Sequence, residues 1–74
     1  MRYNLIMIIL ASQLSKLRRE RKLMLKDVAA RVGIAANTLC QFEKGRARPS
    51  LEVLCALADY YEVTLDFLVK GSDK

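Results

Sequence analysis

The chain of 74 residues carries 13 Lys or Arg against 8 Asp or Glu, 53% hydrophobic residues, two Cys and no His. A chain of this length forms a single small domain, and its hydrophobic content excludes a disordered tail. Without His, the two cysteines cannot complete a zinc site, which needs three or four protein ligands, so we expect no metal and no cofactor.

The positive charge is concentrated in one part of the sequence. Residues 16–48 contain ten Lys or Arg against three Asp or Glu, whereas residues 49–74 contain two against five. This asymmetry indicates a polyanionic partner for the basic part, with a solvated basic surface as the simpler alternative. One Pro and three Gly favour an all-α fold over a β-sandwich.

The first predicted element is ambiguous. Residues 5–11 form an apolar run far shorter than the ~20 residues of a membrane-spanning helix. A basic segment follows where a signal peptide would have its cleavage site, so we expect no membrane partner and a cytoplasmic location, with reduced cysteines. Residues 1–9 form an apolar N-terminal extension, which either lengthens the first helix or forms a strand because Ile6, Ile8 and Ile9 are β-branched.

Five helices follow from the hydrophobic spacing. Leu10, Leu14 and Leu17 predict a helix over residues 10–21, and the next apolar stripe, which Gly33 ends, predicts one over 25–32. A third helix is expected over residues 36–44. Ser50 starts the fourth, whose predicted buried face is Leu51, Leu54, Leu57, Ala58 and Tyr61. The last is expected over residues 65–69, so the domain spans residues 10–70 and the tail 71–74.

The second and third predicted helices have the spacing of a helix-turn-helix. Ala29 is small where the third helix crosses it, Gly33 turns the chain, and Leu39 and Phe42 hold the third helix on the core. Over residues 17–68, about two thirds of the chain, the sequence resembles the Cro and phage-repressor type of helix-turn-helix regulators. The resemblance is carried by Gly-Ile in the turn, Glu-Lys-Gly at the end of the third helix, and Pro-Ser-Leu and Val-Thr-Leu-Asp before the fourth and fifth.

The resemblance implies double-stranded DNA as the partner and assigns roles to particular residues. The expected base-reading residues are Ala36, Asn37 and Gln41; the expected DNA-backbone contacts are Thr38, Lys44, Arg46 and Arg48; and Arg18 and Glu43 are expected to form an ion pair. The residues themselves support the reading role, because amides four positions apart share one helix face and an amide can pair bidentately with adenine. The alternative for both amides is an ordinary solvated surface.

Three departures from the family pattern weaken the expected interface. Met24 and Leu25 replace a capping Ser or Thr and a phosphate-binding Gln at the start of the second helix. Ala35 replaces a capping residue before the third helix, and Glu62 occupies a position where Gly or Asn is common. A missing N-cap costs about 0.5–2 kcal/mol. We therefore expect weak DNA binding by one copy and a greater need for dimers.

The expected function is sequence-specific DNA binding by a transcriptional regulator, most simply a repressor at an inverted-repeat operator. A homodimer is expected, with the apolar segment at residues 5–10 contributing to its interface together with the last helix, or the last helix forming it instead. An enzyme is not expected, because the chain lacks His and a Gly-rich phosphate loop. A protein-interaction module such as an antitoxin, with an unknown protein partner, is the alternative, and a peripheral membrane protein is a weaker one.

Overall fold

The computed structural model describes the backbone of residues 2–71 and the side chains of residues 5–71. This part of the chain contains five helices and no strand: α1 (Arg2–Glu20), α2 (Leu25–Val32), α3 (Ala36–Glu43), α4 (Leu51–Tyr61) and α5 (Leu65–Lys70). The all-α, five-helix fold expected from the sequence is confirmed. Residues 72–74 of the expected tail lie outside the described residues.

The N-terminal extension is the first half of α1, so the strand alternative is wrong. The helix begins eight residues before the predicted start at residue 10. This helix runs alongside α5: Ile9 lies against Gly71, and the Gln13 amide donates to the Phe67 carbonyl over 3.3 Å. Leu5, Ile6 and Ile8 remain exposed, by 56, 48 and 63%. The extension therefore continues the domain's first helix and leaves an apolar surface uncovered.

The core contains at least one fully buried large side chain from every helix. These side chains are Leu14, Val28, Leu39, Leu57, Tyr61 and Leu68. Burying one such aliphatic or aromatic side chain contributes roughly 1.5–3 kcal/mol, so each helix is held mainly by its own apolar stripe. One expectation for α4 is wrong: Leu51 is 69% exposed. It is the first residue of α4, beside the N-cap, where no neighbouring helix covers it.

The turn between α2 and α3 has the conformation that its glycine predicts. Gly33 has φ +80°, and the next N–H, of Ile34, donates to the Ala29 carbonyl over 2.9 Å. Ala29 is buried between α2 and its neighbours. A left-handed residue after a helix reverses the chain while satisfying the helix's last carbonyls, and glycine adopts it without steric penalty. This geometry brings α3 onto α2.

The helix starts differ in their caps. Ser50 and Thr64 accept hydrogen bonds from the N–H groups of Val53 and Phe67, over 3.2 and 3.0 Å. Met24 and Ala35 have the extended backbone of N-caps but provide no side-chain acceptor. The two helices of the helix-turn-helix therefore start without side-chain caps, as the sequence departures predicted.

Tyr61 is the most constrained side chain of the core. It is fully buried, its ring meets Tyr60 edge-on at 5.0 Å, and the Arg21 guanidinium lies 5.2 Å from the ring centre. Among the described residues, its hydroxyl is the one buried side-chain polar atom without a hydrogen-bond partner. Burial, with a smaller contribution from the charge of Glu43, raises the pKa of Tyr61 to about 12.

We predict that Tyr61→Phe leaves the free energy of unfolding unchanged or raises it by up to about 1 kcal/mol, because an unpaired buried hydroxyl is removed. The wild-type hydroxyl should also make stability fall from about pH 10, the unfolded pKa, towards about pH 12, the folded pKa, since the unfolded chain ionises first. Urea denaturation across that pH range measures both effects.

Tyr60→Phe is the matched control and should keep the alkaline fall of the wild type. A Tyr61→Phe protein that lost more than about 1 kcal/mol would contradict the prediction, because the hydroxyl would then have a stabilising partner.

Candidate nucleic-acid interface

The two predicted reading amides lie on the outer face of α3. Leu39 and Phe42 bury the opposite face of this helix, with 0 and 7% of their surface exposed. Asn37 is exposed and Gln41, one turn later, is half-buried. Because the buried side is fixed in the core, both amides are presented to solvent from a rigid helix.

The other two polar or small candidates of α3 are less accessible. Ala36 is half-buried and packs against the core, and Thr38 is also half-buried. A methyl group that packs inward offers less surface to a base edge than an exposed side chain. The structure therefore presents Asn37 most fully, while Gln41, Ala36 and Thr38 are all half-buried.

The loop after α3 alternates between outward cations and inward small residues. Lys44, Arg46 and Arg48 are exposed, while Ala47 packs against the core and Pro49 is buried. The loop is closed by backbone hydrogen bonds from the Gly45 N–H to Phe42 and from the Arg46 N–H to Gln41, over 3.1 and 3.0 Å. These hydrogen bonds and the inward packing of Ala47 hold the backbone, so the three cations project from a fixed support.

The first half of α1 supports this loop. A Cβ atom added to Gly45, whose φ is +72°, would lie 3.6 Å from the Cβ of Ala11 and 4.0 Å from the Met7 carbonyl oxygen. An added Cβ would make only ordinary van der Waals contacts there, so the left-handed backbone is what favours glycine at position 45. The loop that carries the cations is consequently positioned by α1 as well as by α3.

Arg18 and Glu43 are in bidentate contact. The Arg18 Nε and Nη2 atoms donate to the two Glu43 carboxylate oxygens over 2.8 and 3.0 Å, and Nη1 donates to the Leu23 carbonyl over 3.0 Å. The hydrogen bond to Glu43 raises the pKa of Arg18. Only 17% of the Arg18 side chain and 7% of the Glu43 side chain are exposed. One guanidinium therefore joins α1, the turn before α2, and the last residue of α3.

The sequence did not reveal that the basic run after Leu17 is divided between two tasks. Arg21 donates to the Tyr61 carbonyl at the end of α4, over 2.9 Å, and covers the Tyr61 ring. Arg18 and Arg21 are thus used inside the fold, while Arg19 and Lys22 are exposed. The family resemblance had singled out Arg18, but no sequence signal marked Arg21, because its contact depends on which helix end packs beside it.

Neither metal binding nor membrane crossing has support in the described part of the chain. Its His, Cys, Asp and Glu residues form no cluster of three that could hold a metal ion, and Cys40 and Cys55 are free thiols. Across residues 2–71, no helix combines the length and the apolar character needed to cross a bilayer.

Comparison with known proteins supplies the family. A family model described as a helix-turn-helix domain matches residues 9–68. The chain belongs to this helix-turn-helix family. The resemblance to the Cro and phage-repressor type is confirmed by the relatives and by the fold, and the match spans all of α2 to α4.

The relatives include named transcriptional regulators. The chain is 44% identical over 62 residues to the HTH-type transcriptional regulator DdrOP3 of Deinococcus deserti, covering 84% of this chain and 48% of that protein. It is 40% identical to the regulator AnsR of Bacillus subtilis, covering 84 and 53%. It is 38% identical to the repressor RstR of the cryptic phage CTXphi of Vibrio cholerae, covering 85 and 57%. The chain therefore spans about half the length of these relatives.

A solved structure has the same fold. The P22 c2 repressor, crystallised with a synthetic operator, matches with a TM-score of 0.83 and 23% identity, covering 86% of this chain and 97% of that one. At this identity the likeness establishes the fold of the helix-turn-helix domain.

We predict that Glu43→Gln lowers the free energy of unfolding by about 2–3 kcal/mol, because it leaves the mostly buried Arg18 charge without its counter-ion. Replacing both partners by Met should recover most of that loss, since a buried pair costs much of its attraction in desolvation. Chemical denaturation measures the stability of the single variant, the double variant and the control below. Glu20→Gln, at an exposed acid one helical turn from Lys16, is the control and should change stability by less than about 0.5 kcal/mol.

Proposed function

We propose that the chain is a transcriptional regulator, acting as a repressor, that binds double-stranded DNA with the N-terminal part of α3 in the major groove. One observation carries the proposal: α3 is fixed in the core by Leu39 and Phe42 while Asn37 and Gln41 face outward. The major groove admits a helix, and amides read adenine there through paired hydrogen bonds. The names of the relatives and the operator bound to the P22 c2 repressor support the proposal.

The site divides into residues that specify a sequence and residues that attract DNA. Asn37 and Gln41 read base edges, whereas Lys44, Arg46 and Arg48 hold phosphates from the loop behind α3. Ala36 contributes apolar contact and Thr38 a backbone contact, each limited by partial burial. Arg18 and Glu43 act as positioning residues, because they fix the end of α3 without facing the groove. Phosphate contacts set position and affinity, and base contacts set specificity.

One copy lacks the phosphate contact that the family usually makes at the start of the second helix. The DNA contacts of a second copy compensate for this loss of affinity. Met24, 58% exposed, and Leu25, half-buried, stand at the start of α2, and neither side chain has a donor for a phosphate. In a two-fold dimer the contacts of both copies add on one operator, whose half-sites are inverted and about 10 base pairs apart. Weak binding per copy therefore favours an inverted-repeat operator.

The dimer interface that we propose is the uncovered surface of α1 formed by Leu5, Ile6 and Ile8. These neighbouring side chains expose 48–63% of their surface, although a small domain rarely leaves contiguous large apolar residues in water. A second copy of the same surface covers them and leaves the acidic second half of the chain away from DNA.

We predict that the protein sediments as a dimer at micromolar concentration and that Ile8→Glu shifts it to monomer, because a buried carboxylate would face its own copy across the two-fold axis. Glu52→Lys, an exposed change of charge on α4, is the control and should leave the dimer intact. A wild-type protein that stays monomeric, or an Ile8→Glu protein that stays dimeric, would show that this surface does not mediate assembly.

We predict that Asn37→Ala and Gln41→Ala each weaken binding to the best operator, obtained by selection from random duplexes, by about 1–3 kcal/mol and barely change binding to random DNA. Arg46→Ala and Arg48→Ala should instead weaken both duplexes alike and reduce the slope of log affinity against log salt by about one unit. Fluorescence anisotropy at several salt concentrations measures all four variants.

Equal losses on both duplexes for the two amide variants would refute base reading by α3. If the wild-type chain bound neither duplex at low salt, DNA binding itself would be wrong, and a protein-interaction module would become the better function.

A further inference from the structure

Lys22 is exposed like Arg19, but unlike Arg19 it lies in the turn after α1. Arg18 and Arg21, which precede it in the basic run, donate hydrogen bonds to Glu43 and to the Tyr61 carbonyl. Lys22 is exposed, and it takes part in neither of the two ion pairs found among the described residues. Its charge is therefore available to a ligand.

Its backbone conformation disfavours lysine. Lys22 has φ +56°, its N–H donates to the Arg19 carbonyl over 3.0 Å, and the next N–H, of Leu23, donates to the Arg18 carbonyl over 3.1 Å. This is the helix-ending motif in which glycine is usual, and the corresponding residues after α2 and α3 are Gly33 and Gly45. Residues that are kept in such a conformation against their preference concentrate at functional sites.

The position of Lys22 links it to the proposed DNA surface. The Leu23 carbonyl, adjacent to Lys22, accepts from the same Arg18 guanidinium that holds Glu43. Glu43 is the last residue of α3, and Lys44, the first proposed phosphate contact, follows it directly. Lys22 thus lies in a turn tied to the end of α3. It also precedes the exposed Met24 by two residues, where the chain has no polar side chain for a phosphate.

We propose that Lys22 contacts a DNA phosphate beside the start of α2 and supplies the anion contact that Met24 and Leu25 cannot make. This inference rests on the proposed DNA-binding function. A lysine reaches a phosphate as a mobile point charge from a turn, so it needs no fixed orientation. The contact is independent of sequence and adds to affinity on any duplex.

At position 22 the backbone conformation favours glycine, whereas the proposed phosphate contact requires a positive charge, and the test uses this difference. Lys22→Gly should raise the melting temperature by roughly 4 °C, because glycine relieves the left-handed backbone. The same change should weaken binding to random DNA and to the selected operator by about 5- to 10-fold near 0.1 M salt, and reduce the salt slope by about 0.9, the loss of one phosphate contact. Stability and affinity therefore move in opposite directions in one variant.

Three controls isolate the contact. Glu62→Gly makes the same backbone change after α4, where φ is +59°, and should raise the melting temperature without weakening DNA binding. Lys70→Gln removes one positive charge from α5, where the side chain is 71% exposed, and should leave the salt slope unchanged. Lys22→Arg keeps the charge and should bind like the wild type.

The outcomes separate this inference from the proposed function. If the Lys22→Gly protein bound DNA with the wild-type affinity and salt slope, the phosphate contact by Lys22 would be refuted, even if Asn37→Ala still lost operator binding. An equal loss in Lys70→Gln would also overturn it, because net charge and not a local contact would then account for the effect. A wild-type chain that bound no DNA would overturn both the proposed function and this inference.

Discussion

The interface depends on the burial of one face of α3. Leu39 is fully buried and Phe42 nearly so, and removing either contact would free the helix to rotate or shift. Because a helix repeats every 3.6 residues, fixing these two positions determines where Asn37 and Gln41 point. The apolar core thus sets the direction of the polar surface, and the rest of the domain serves to hold α3 in place.

The Arg18 guanidinium adds to this arrangement at the other end of α3. It contacts Glu43 and the Leu23 carbonyl at once, so the turn before α2 and the start of the cationic loop are held at one point. Most of the attraction in such a pair offsets the desolvation of its ions. Its main effect is therefore geometric: a bidentate contact permits few relative positions of α1 and α3.

The division of the cations follows from the same packing. Arg21 closes the end of α4 over Tyr61 and Arg31 approaches the Tyr60 ring at 5.9 Å, whereas the loop cations and Lys22 point outward. Net charge alone describes these residues as one basic patch. The structure shows that some of these cations also contact core aromatic rings, and in the proposed function the loop cations and Lys22 attract DNA.

The sequence by itself determined five helices, the extent of α2, the turn at Gly33, the missing side-chain caps and the exposure of Asn37 on α3. These features depend on local spacing and on single-residue preferences, which act within a few positions along the chain. Tertiary structure decided the rest. The apolar extension became helical because α5 and the loop at Gly45 pack beside it, and Leu51 stayed exposed because no helix covers the start of α4. The contact of Arg21 with the end of α4 likewise depends on neighbours that are distant in sequence, which no local pattern encodes.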